Sequence, residues 1–312
     1  RMAVWGRNNY NRFDVVHDNQ TLAYGLIKLR DMGVPVVGTI HHPITMDKRI
    51  DIKHAETLSL KLLKWRWYSF LKMQIKVARQ LDPIIVVSEN TRKDVVKDFK
   101  IDPKKTRKVL HGIDHKTFEP IPSIKRKKNQ LITTASADVP LKGLIYLIRA
   151  YSDLLNDFPD LSLIVIGKLR DGPTSKELDK KGIKDKVKFI SDLTSRQIAE
   201  LYAESTIAVS PSVYEGFGFP AGEAMSCGIP LISTNGGSLP EVVGESGIIV
   251  PHSNPDELQK AIKELLLSPE KRKELGEKGR NRVLEKFTWK RAAKELVDVY
   301  REAISNADNR SR

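Results

Sequence analysis

The chain's pattern predicts an α/β protein of two domains, each built on a parallel sheet. Three observations carry this. Short Val/Ile-rich runs alternate with helical patterns along the whole length. Most of those runs lack polar alternation, as strands covered on both faces do. An aperiodic stretch at residues 114–129, with two prolines and a basic cluster, interrupts the rhythm and places a domain boundary near residues 120–128. A chain of 312 residues fits two domains at about 100–200 residues each.

Taken in order, the opening Phe13-Asp-Val-Val16 and the runs 34–40, 84–87 and 108–110 are the expected strands of the first domain. Those of the second are 131–134, 161–166, 188–190, 207–210, 230–233 and 247–250. Helical periodicity fills 144–156, 196–203, 256–267 and 289–304. Asn254-Pro255-Asp256 reads as a helix start, with Asn254 as N-cap and Pro255 at the first helical position.

Composition narrows the class. The chain is 40% hydrophobic and 29% charged, with 53 Lys plus Arg against 39 Asp plus Glu and a net charge of +14. Collagen, coiled coil, disordered tail and disulfide scaffold are excluded. The lone Cys227 forms no internal disulfide, so a reducing, cytoplasmic setting is expected. No apolar run approaches the roughly 18 residues of a membrane span and no leader peptide is read. The chain opens on Arg1, directly in an element-like segment, and a preceding part is expected.

The stretch richest in chemistry is Ser210-Pro-Ser-Val-Tyr-Glu-Gly-Phe-Gly-Phe-Pro-Ala-Gly-Glu-Ala-Met-Ser-Cys-Gly-Ile-Pro230. It reads strand, glycine loop, helix, strand. Pro220 suits a first helical turn and Gly228 the C′ position. Gly216 and Gly218 let backbone approach a ligand, and the following helix start is an anion site suited to a diphosphate. Glu215 and Glu223 can line one cleft. Alternatively, Glu223 complements the helix dipole and Glu215 is a solvated loop residue.

These residues resemble a known family. Glu215-Gly-Phe-Gly-Phe-Pro-Ala-Gly-Glu223 is similar to the E-x7-E signature of family 4 retaining glycosyltransferases. Asn235-Gly-Gly-Ser-Leu-Pro-Glu-Val-Val243, Gly247-Ile-Ile-Val-Pro251, Val86-Val-Ser-Glu-Asn-Thr-Arg92 and His111-Gly-Ile-Asp-His-Lys-Thr-Phe-Glu-Pro120 match it as well. The resemblance implies a GT-B fold, two Rossmann-like domains with parallel sheets facing across a cleft. Residues 1–120 would form a partial acceptor-side domain, 121–288 the nucleotide-sugar domain, and 289–312 a C-terminal helix packing back towards the first. The family's early strands and N-terminal glycine-rich loop are not in the sequence, which makes truncation or completion by another chain the expectation.

The resemblance also assigns roles. Glu223 would bind the ribose hydroxyls, Glu215 the donor sugar, and backbone N–H groups near Gly218 and Phe219 the sugar or phosphate oxygens. A carboxylate accepting hydroxyl hydrogens and amides facing oxyanions suit these tasks. Lys142-Gly143 matches the lysine half of the family's Arg…Lys-Gly motif, whose cations neutralise the departing diphosphate. An exposed lysine at a helix start is the plainer alternative. The arginine is absent, its place falling near Ser136 or Ala137, and Lys168 or Arg170 is the expected substitute. In Thr39-Ile-His-His-Pro43, His41 matches a histidine near the donor sugar, at a strand end where α/β ligands bind. A structural histidine stabilising the loop is the alternative. His42 is expected to face away. His17, at a strand edge, is a second candidate, towards the acceptor.

No Asp-x-Asp and no His/Cys cluster of metal-ligand spacing occurs, so neither metal nor other cofactor is expected. No P-loop or strand-borne Gly-x-Gly-x-x-Gly supports NTP hydrolysis or hydride transfer.

Residues 54–81 read as one long helix. Leu60, Leu63, Trp67, Phe70, Leu71, Val77, Ala78 and Leu81 would face inward, with Lys61, Lys64, Lys72, Lys76 and Arg79 on another face beside Trp65, Tyr68 and Ile75. That mixture suits the anionic inner face of a membrane. A solvated face with snorkelling stems is the alternative, and nucleic acid has no reading module to support it.

The sequence therefore predicts a metal-independent retaining transferase. It would move a sugar from a nucleotide-sugar, UDP- or GDP-linked, to a lipid-linked or saccharide acceptor. A GT-B sugar-nucleotide epimerase and a non-catalytic nucleotide-sugar or anionic-surface binding module are the competing expectations.

Overall fold

The computed structural model describes Asn9, residues 12–135 and residues 139–311, the side chains of 310 and 311 excepted. The chain divides into two compact units, Arg1–His111 with Lys290–Arg312, and Gly112–Trp289. The division falls earlier than residue 120, so the proline-rich basic stretch belongs to the second unit.

The first unit holds a parallel sheet in the order β1-β2-β3-β4, formed by Val16–Asn19, Val36–Ile40, Ile84–Val86 and Thr106–Lys108. Strand alternation sorts its side chains. Val36 and Ile40 of β2 and Ile84 and Val86 of β3 pack on Leu26, Val77, Ala78 and Phe99. Val37 and Ile85 pack on the opposite face against Val299 and Ala303 of the C-terminal helix Trp289–Ser311. Arg107 adds a forked pair to Glu302 of that helix, its Nε donating to Oε2 at 2.8 Å.

Two strands sit elsewhere than expected. β1 starts at Val16 and continues through the polar His17-Asp18-Asn19 rather than covering 13–16. Its polar residues are satisfied by tertiary partners: buried Asp18 accepts from the Leu22 N–H at 2.9 Å and from Thr21. β4 ends at Lys108 instead of spanning 108–110, in register with β3 through Ile85↔Arg107.

The expected helix over 54–81 is broken. Leu58–Trp67 ends in a 3-10 turn, Tyr68–Phe70, before Leu71–Ala78 resumes. The tighter turn resets the angular phase, so one stripe does not run the full length. Leu71, Val77, Ala78 and Leu81 are buried as expected, but Leu60, Leu63 and Trp67 face out. Tyr68, placed among the lysines by periodicity, is instead buried and donates from its Oη to Asp51 at 2.9 Å.

The second unit is a six-stranded parallel sheet. Its strands are β5 (Gln130–Thr134), β6 (Ser162–Ile166), β7 (Val187–Ile190), β8 (Ile207–Ser210), β9 (Leu231–Thr234) and β10 (Ile248–Val250), in the order β10-β9-β8-β5-β6-β7. The chain winds one way from β5 and then the other from β8. The β5/β8 junction is thus the topological switch point, and ligands of such sheets bind beyond the strand C-termini there. Leu147, Ile148 and Tyr151 of the helix Leu144–Leu154 pack with Leu131, Val165 and Ile207 in the core. Asn254 caps Pro255–Leu267 as expected, its Oδ1 accepting from the Glu257 N–H at 3.2 Å.

Candidate active site

Three loops leave the C-terminal ends of β5, β8 and β9, and backbone contacts knit them together. The 3-10 turn Pro140–Lys142 follows β5, and its Leu141 carbonyl accepts from the Val213 N–H at 2.7 Å. Gly143 then turns with φ +62°, and a Cβ there would stand 2.1 Å from the Pro211 carbonyl oxygen. Only glycine allows both that backbone conformation and that approach. From the β9 side, Ser238 donates to the Glu215 carbonyl through its N–H at 2.9 Å and its Oγ at 3.1 Å. Gly237 permits this closeness, since a Cβ there would lie 2.3 Å from the same oxygen.

The result joins two residues that the sequence placed 73 positions apart. Lys142 Nζ donates to Glu215 Oε1 at 2.7 Å, and the Ser212 Oγ donates to the same oxygen at 2.8 Å. Ser212 and Ser238 were not singled out from the sequence. Nothing in a run of loop serines marks one as a carboxylate clamp.

Beyond Glu215, Gly218 has φ +94° and begins the helix Phe219–Ser226, whose N-terminus no side chain caps. Pro220 stands in its first turn, and Gly228 follows with φ +66° as the expected C′ residue. The carboxyl of Glu223, on this helix, makes no hydrogen bond or ion pair with the described residues, and burial pushes it up to about 7. A partly buried carboxylate without protein donors is free to accept hydroxyl hydrogens from a ligand.

The other expected cations are not brought into this cluster. Lys168 pairs with Asp192 at 3.0 Å, both side chains exposed, and Arg170 is exposed on the loop after β6. Ser136 and Ala137, the expected position of the family's arginine, lie outside the described residues. Among the described residues, no group of three or more His, Cys, Asp or Glu is placed to hold a metal ion.

In the first unit, His41 directly follows β2. Its N–H donates to Gln20 Oε1 at 2.6 Å, and its ring stacks on His111 with centroids 5.1 Å apart. His41 Nε2 meets Asn19 Oδ1, and its Nδ1 lies 3.0 Å from His111 Nε2. An amide oxygen only accepts, so His41 carries its proton on Nε2 and accepts at Nδ1 from the His111 Nε2–H. Burial lowers both rings, His111 to about 4, with His41's charge as the second cause there. Sequence reasoning did not single out Asn19 or His111 as site residues. His111 lay inside a quoted motif, and only the fold stacks it on His41.

His17 is a different case. Its Nδ1 meets the Tyr300 Oη and its Nε2 the Thr39 Oγ1, both at 2.7 Å, so both ring nitrogens are spent within the first unit. This geometry fits a structural histidine better than one approaching an acceptor. His42 Nε2 meets Asp47 at 2.7 Å, apart from the His41 contacts.

Comparison with known proteins decides the family. Residues 116–282 match the profile described as glycosyl transferases group 1, and residues 2–117 that of Glycosyltransferase Family 4. The chain belongs to glycosyltransferase family 4. It is 41% identical to the MMP alpha-(1->4)-mannosyltransferase of Mycolicibacterium hassiacum over 94% of this chain and 71% of that one. It is 28% identical to a D-inositol 3-phosphate glycosyltransferase of Streptomyces bingchenggensis over 97% and 70% of the two. The glycosyltransferase also superposes on a sucrose-phosphate synthase from Thermosynechococcus elongatus with TM-score 0.77 at 21% identity, covering 98% of this chain and 77% of that one. Anabaena Alr3699/HepE in complex with UDP gives 0.78 at 17% identity, covering 96% and 82%. At those identities the likeness speaks for the fold, which is GT-B. Membership of an enzyme family displaces the expectation of a non-catalytic binding module.

Proposed function

We propose that this glycosyltransferase moves a sugar from a nucleoside diphosphate donor, UDP- or GDP-linked, to a saccharide or lipid-linked acceptor, with retention and without a metal ion. The observation that carries the reading is the Lys142–Glu215 pair set at the sheet's switch point, with the buried Glu223 carboxyl on the helix that follows. Glu223 takes the ribose hydroxyls. Glu215, held by Lys142 and Ser212, meets the donor sugar. The amides around Gly218 and Phe219, at the positive end of a helix, face sugar or phosphate oxygens.

In the reaction the C1–O bond to the diphosphate breaks, its electron pair leaves with the phosphate oxygen, and the acceptor hydroxyl oxygen bonds to C1 as its proton passes to the departing diphosphate. Negative charge grows on the leaving group as the sugar becomes oxocarbenium-like. Lys142 supplies a fixed cation for that charge. The relative named a mannosyltransferase places a mannosyl donor first among those to try.

We also propose that the segment Leu58–Trp67 touches an anionic membrane surface, at the cytoplasmic face. Leu58 is 84% exposed, Trp67 73% and Trp65 56%, with the exposed cations Lys61 and Arg66 among them. Among the described residues no helix is long and apolar enough to cross a membrane.

The test is a panel of nucleotide-sugars scored by thermal shift, then transfer assayed on the hit with and without EDTA. One donor is expected to stabilise the protein, with transfer unchanged by EDTA and an axial product from an axial donor. No stabilisation by any donor, loss of activity in EDTA, or an inverted product would each remove part of the reading. Epimerised donor in the absence of acceptor would replace transfer by epimerisation.

A further inference from the structure

A cavity of about 550 Å³ lies wholly within the second unit, away from the residues of the donor loop. Its walls carry four cations, Arg126, Arg272, Lys273 and Arg280, against one carboxylate, Glu277. Cys227 also lines it, and burial pushes that thiol up to about 12, so it is protonated and supplies no counter-charge.

The three guanidiniums are anchored by main-chain carbonyls rather than by acids. Arg126 donates from Nη1 to the Ser205 carbonyl at 2.9 Å and from Nη2 to that of Gly228 at 3.0 Å. Arg272 Nη1 donates to the Leu266 carbonyl at 2.8 Å, and Arg280 Nη1 to that of Ser226 at 3.0 Å. Carbonyls fix a guanidinium but bring only partial charge. Among the described residues none of the four cations enters an ion pair, and the Nε and Nη2 groups of Arg272 and Arg280 have no protein acceptor. Burial pulls the Arg126 guanidinium below its ordinary value, and Arg272's charge acts in the same direction. Fixed cations thus crowd a sheltered, partly apolar wall where like charges repel more than in water. The volume falls within the roughly 300–1,000 Å³ typical of small-molecule sites.

We propose that this cavity binds a small phosphate-bearing anion, at a site separate from the donor loop. Guanidiniums with unused N–H donors match phosphate oxygens in charge and in geometry. The helix Phe219–Ser226 links the two places: Gly218 precedes its first residue at the donor loop, and Cys227 and Gly228 follow its last at the cavity. Its 8 residues set the two ends about 12 Å apart.

The test is titration calorimetry with inorganic pyrophosphate in metal-free buffer on the full chain, comparing wild type, Lys142→Ala, Arg272→Gln/Lys273→Gln and Lys273→Glu. Wild type is expected to show two sites: Lys142→Ala weakens the donor-loop one and keeps the cavity one, whereas the double variant weakens the cavity one at least tenfold and keeps the other. Lys273 is exposed and unpaired, so Lys273→Glu keeps the fold whatever happens to the double variant, and is expected to lose at least fivefold. Absence of binding to wild type overturns the proposal. So does equal binding by Lys273→Glu. Loss confined to Lys142→Ala overturns it too, because the anion would then occupy only the donor loop.

Discussion

Lys142 Nζ and Glu215 Oε1 stand 2.7 Å apart, although one follows β5 and the other β8. The parallel pairing of those strands, Leu131↔Ile207 and Ile132↔Ala208, aims both loops at the same point. A leaving diphosphate arriving there would exchange one carboxylate for several phosphate oxygens around the lysine, so the pair holds the cation ready without burying it.

Replacing Lys142 with Met is therefore expected to lower kcat by on the order of 10²–10³-fold, the scale for losing one fixed donor to developing charge. Stability should change by no more than about 1 kcal/mol, because partly exposed ion pairs contribute little. Steady-state transfer and thermal melts on one preparation separate the two effects. A large melting shift with unchanged kcat would make the lysine structural.

Glu223 predicts an inverse relation between stability and binding. Its carboxyl is raised by burial to about 7 in the folded chain, above its unfolded value. The fold is thus free of penalty below the unfolded pKa and loses stability as pH rises through about 7. Over that interval the cost approaches roughly 3 kcal/mol. Glu223→Gln should melt higher than wild type at pH 8, with the gap closing by pH 4, and should bind the donor at least tenfold more weakly. A gap independent of pH would refute the assignment.

His111 gives the opposite sign. Burial lowers it to about 4, so its contribution is complete above the unfolded pKa near 6.5 and is lost as pH falls towards 4. The loss is roughly 3 kcal/mol. The melting-temperature difference between wild type and His111→Asn should narrow over that range. Parallel melting curves from pH 7 to 4 would contradict it.

Gly143 and Gly182 form a matched pair, with φ +62° and +64°. A Cβ at Gly143 meets the Pro211 carbonyl, whereas at Gly182 it meets nothing within 4 Å. Gly182→Ala should cost about 1–2 kcal/mol from backbone conformation alone. Gly143→Ala should cost more and weaken donor binding, because Lys142 moves with its neighbour. Equal melting shifts would show that the 140–143 turn gives way freely.

The exposed Leu58–Trp67 segment is tested by sedimentation with vesicles. Binding is expected with anionic lipid and not with neutral lipid, and Trp65→Ser/Trp67→Ser should reduce it at least fivefold. Equal sedimentation with both lipids, or none with either, would leave the segment a solvated face.

Most of the fold was legible because its signals are local. Val/Ile runs covered on both faces, Asn254 and Pro255 at a helix start, and Gly228 at a helix end each encode structure within a few residues. The E-x7-E run likewise fixed the family and the placement of Glu215 and Glu223 around one glycine turn. What depended on distant partners was not legible. β1 runs through His17 and Asp18 because tertiary hydrogen bonds satisfy them, and the 3-10 turn at Tyr68–Phe70, which periodicity did not predict, seats Tyr68 against Asp51.

The sequence by itself determined an α/β, two-domain glycosyltransferase and the turn that carries its two glutamates. The tertiary structure alone decided that Lys142 grips Glu215, that Asn19 sets the proton on His41, and that four cations share one cavity with a single acid. Chemistry within a motif is fixed by chain connectivity at short range. Partners brought together by sheet order are fixed only when the core packs, since residues 73 positions apart meet through the pairing of β5 with β8.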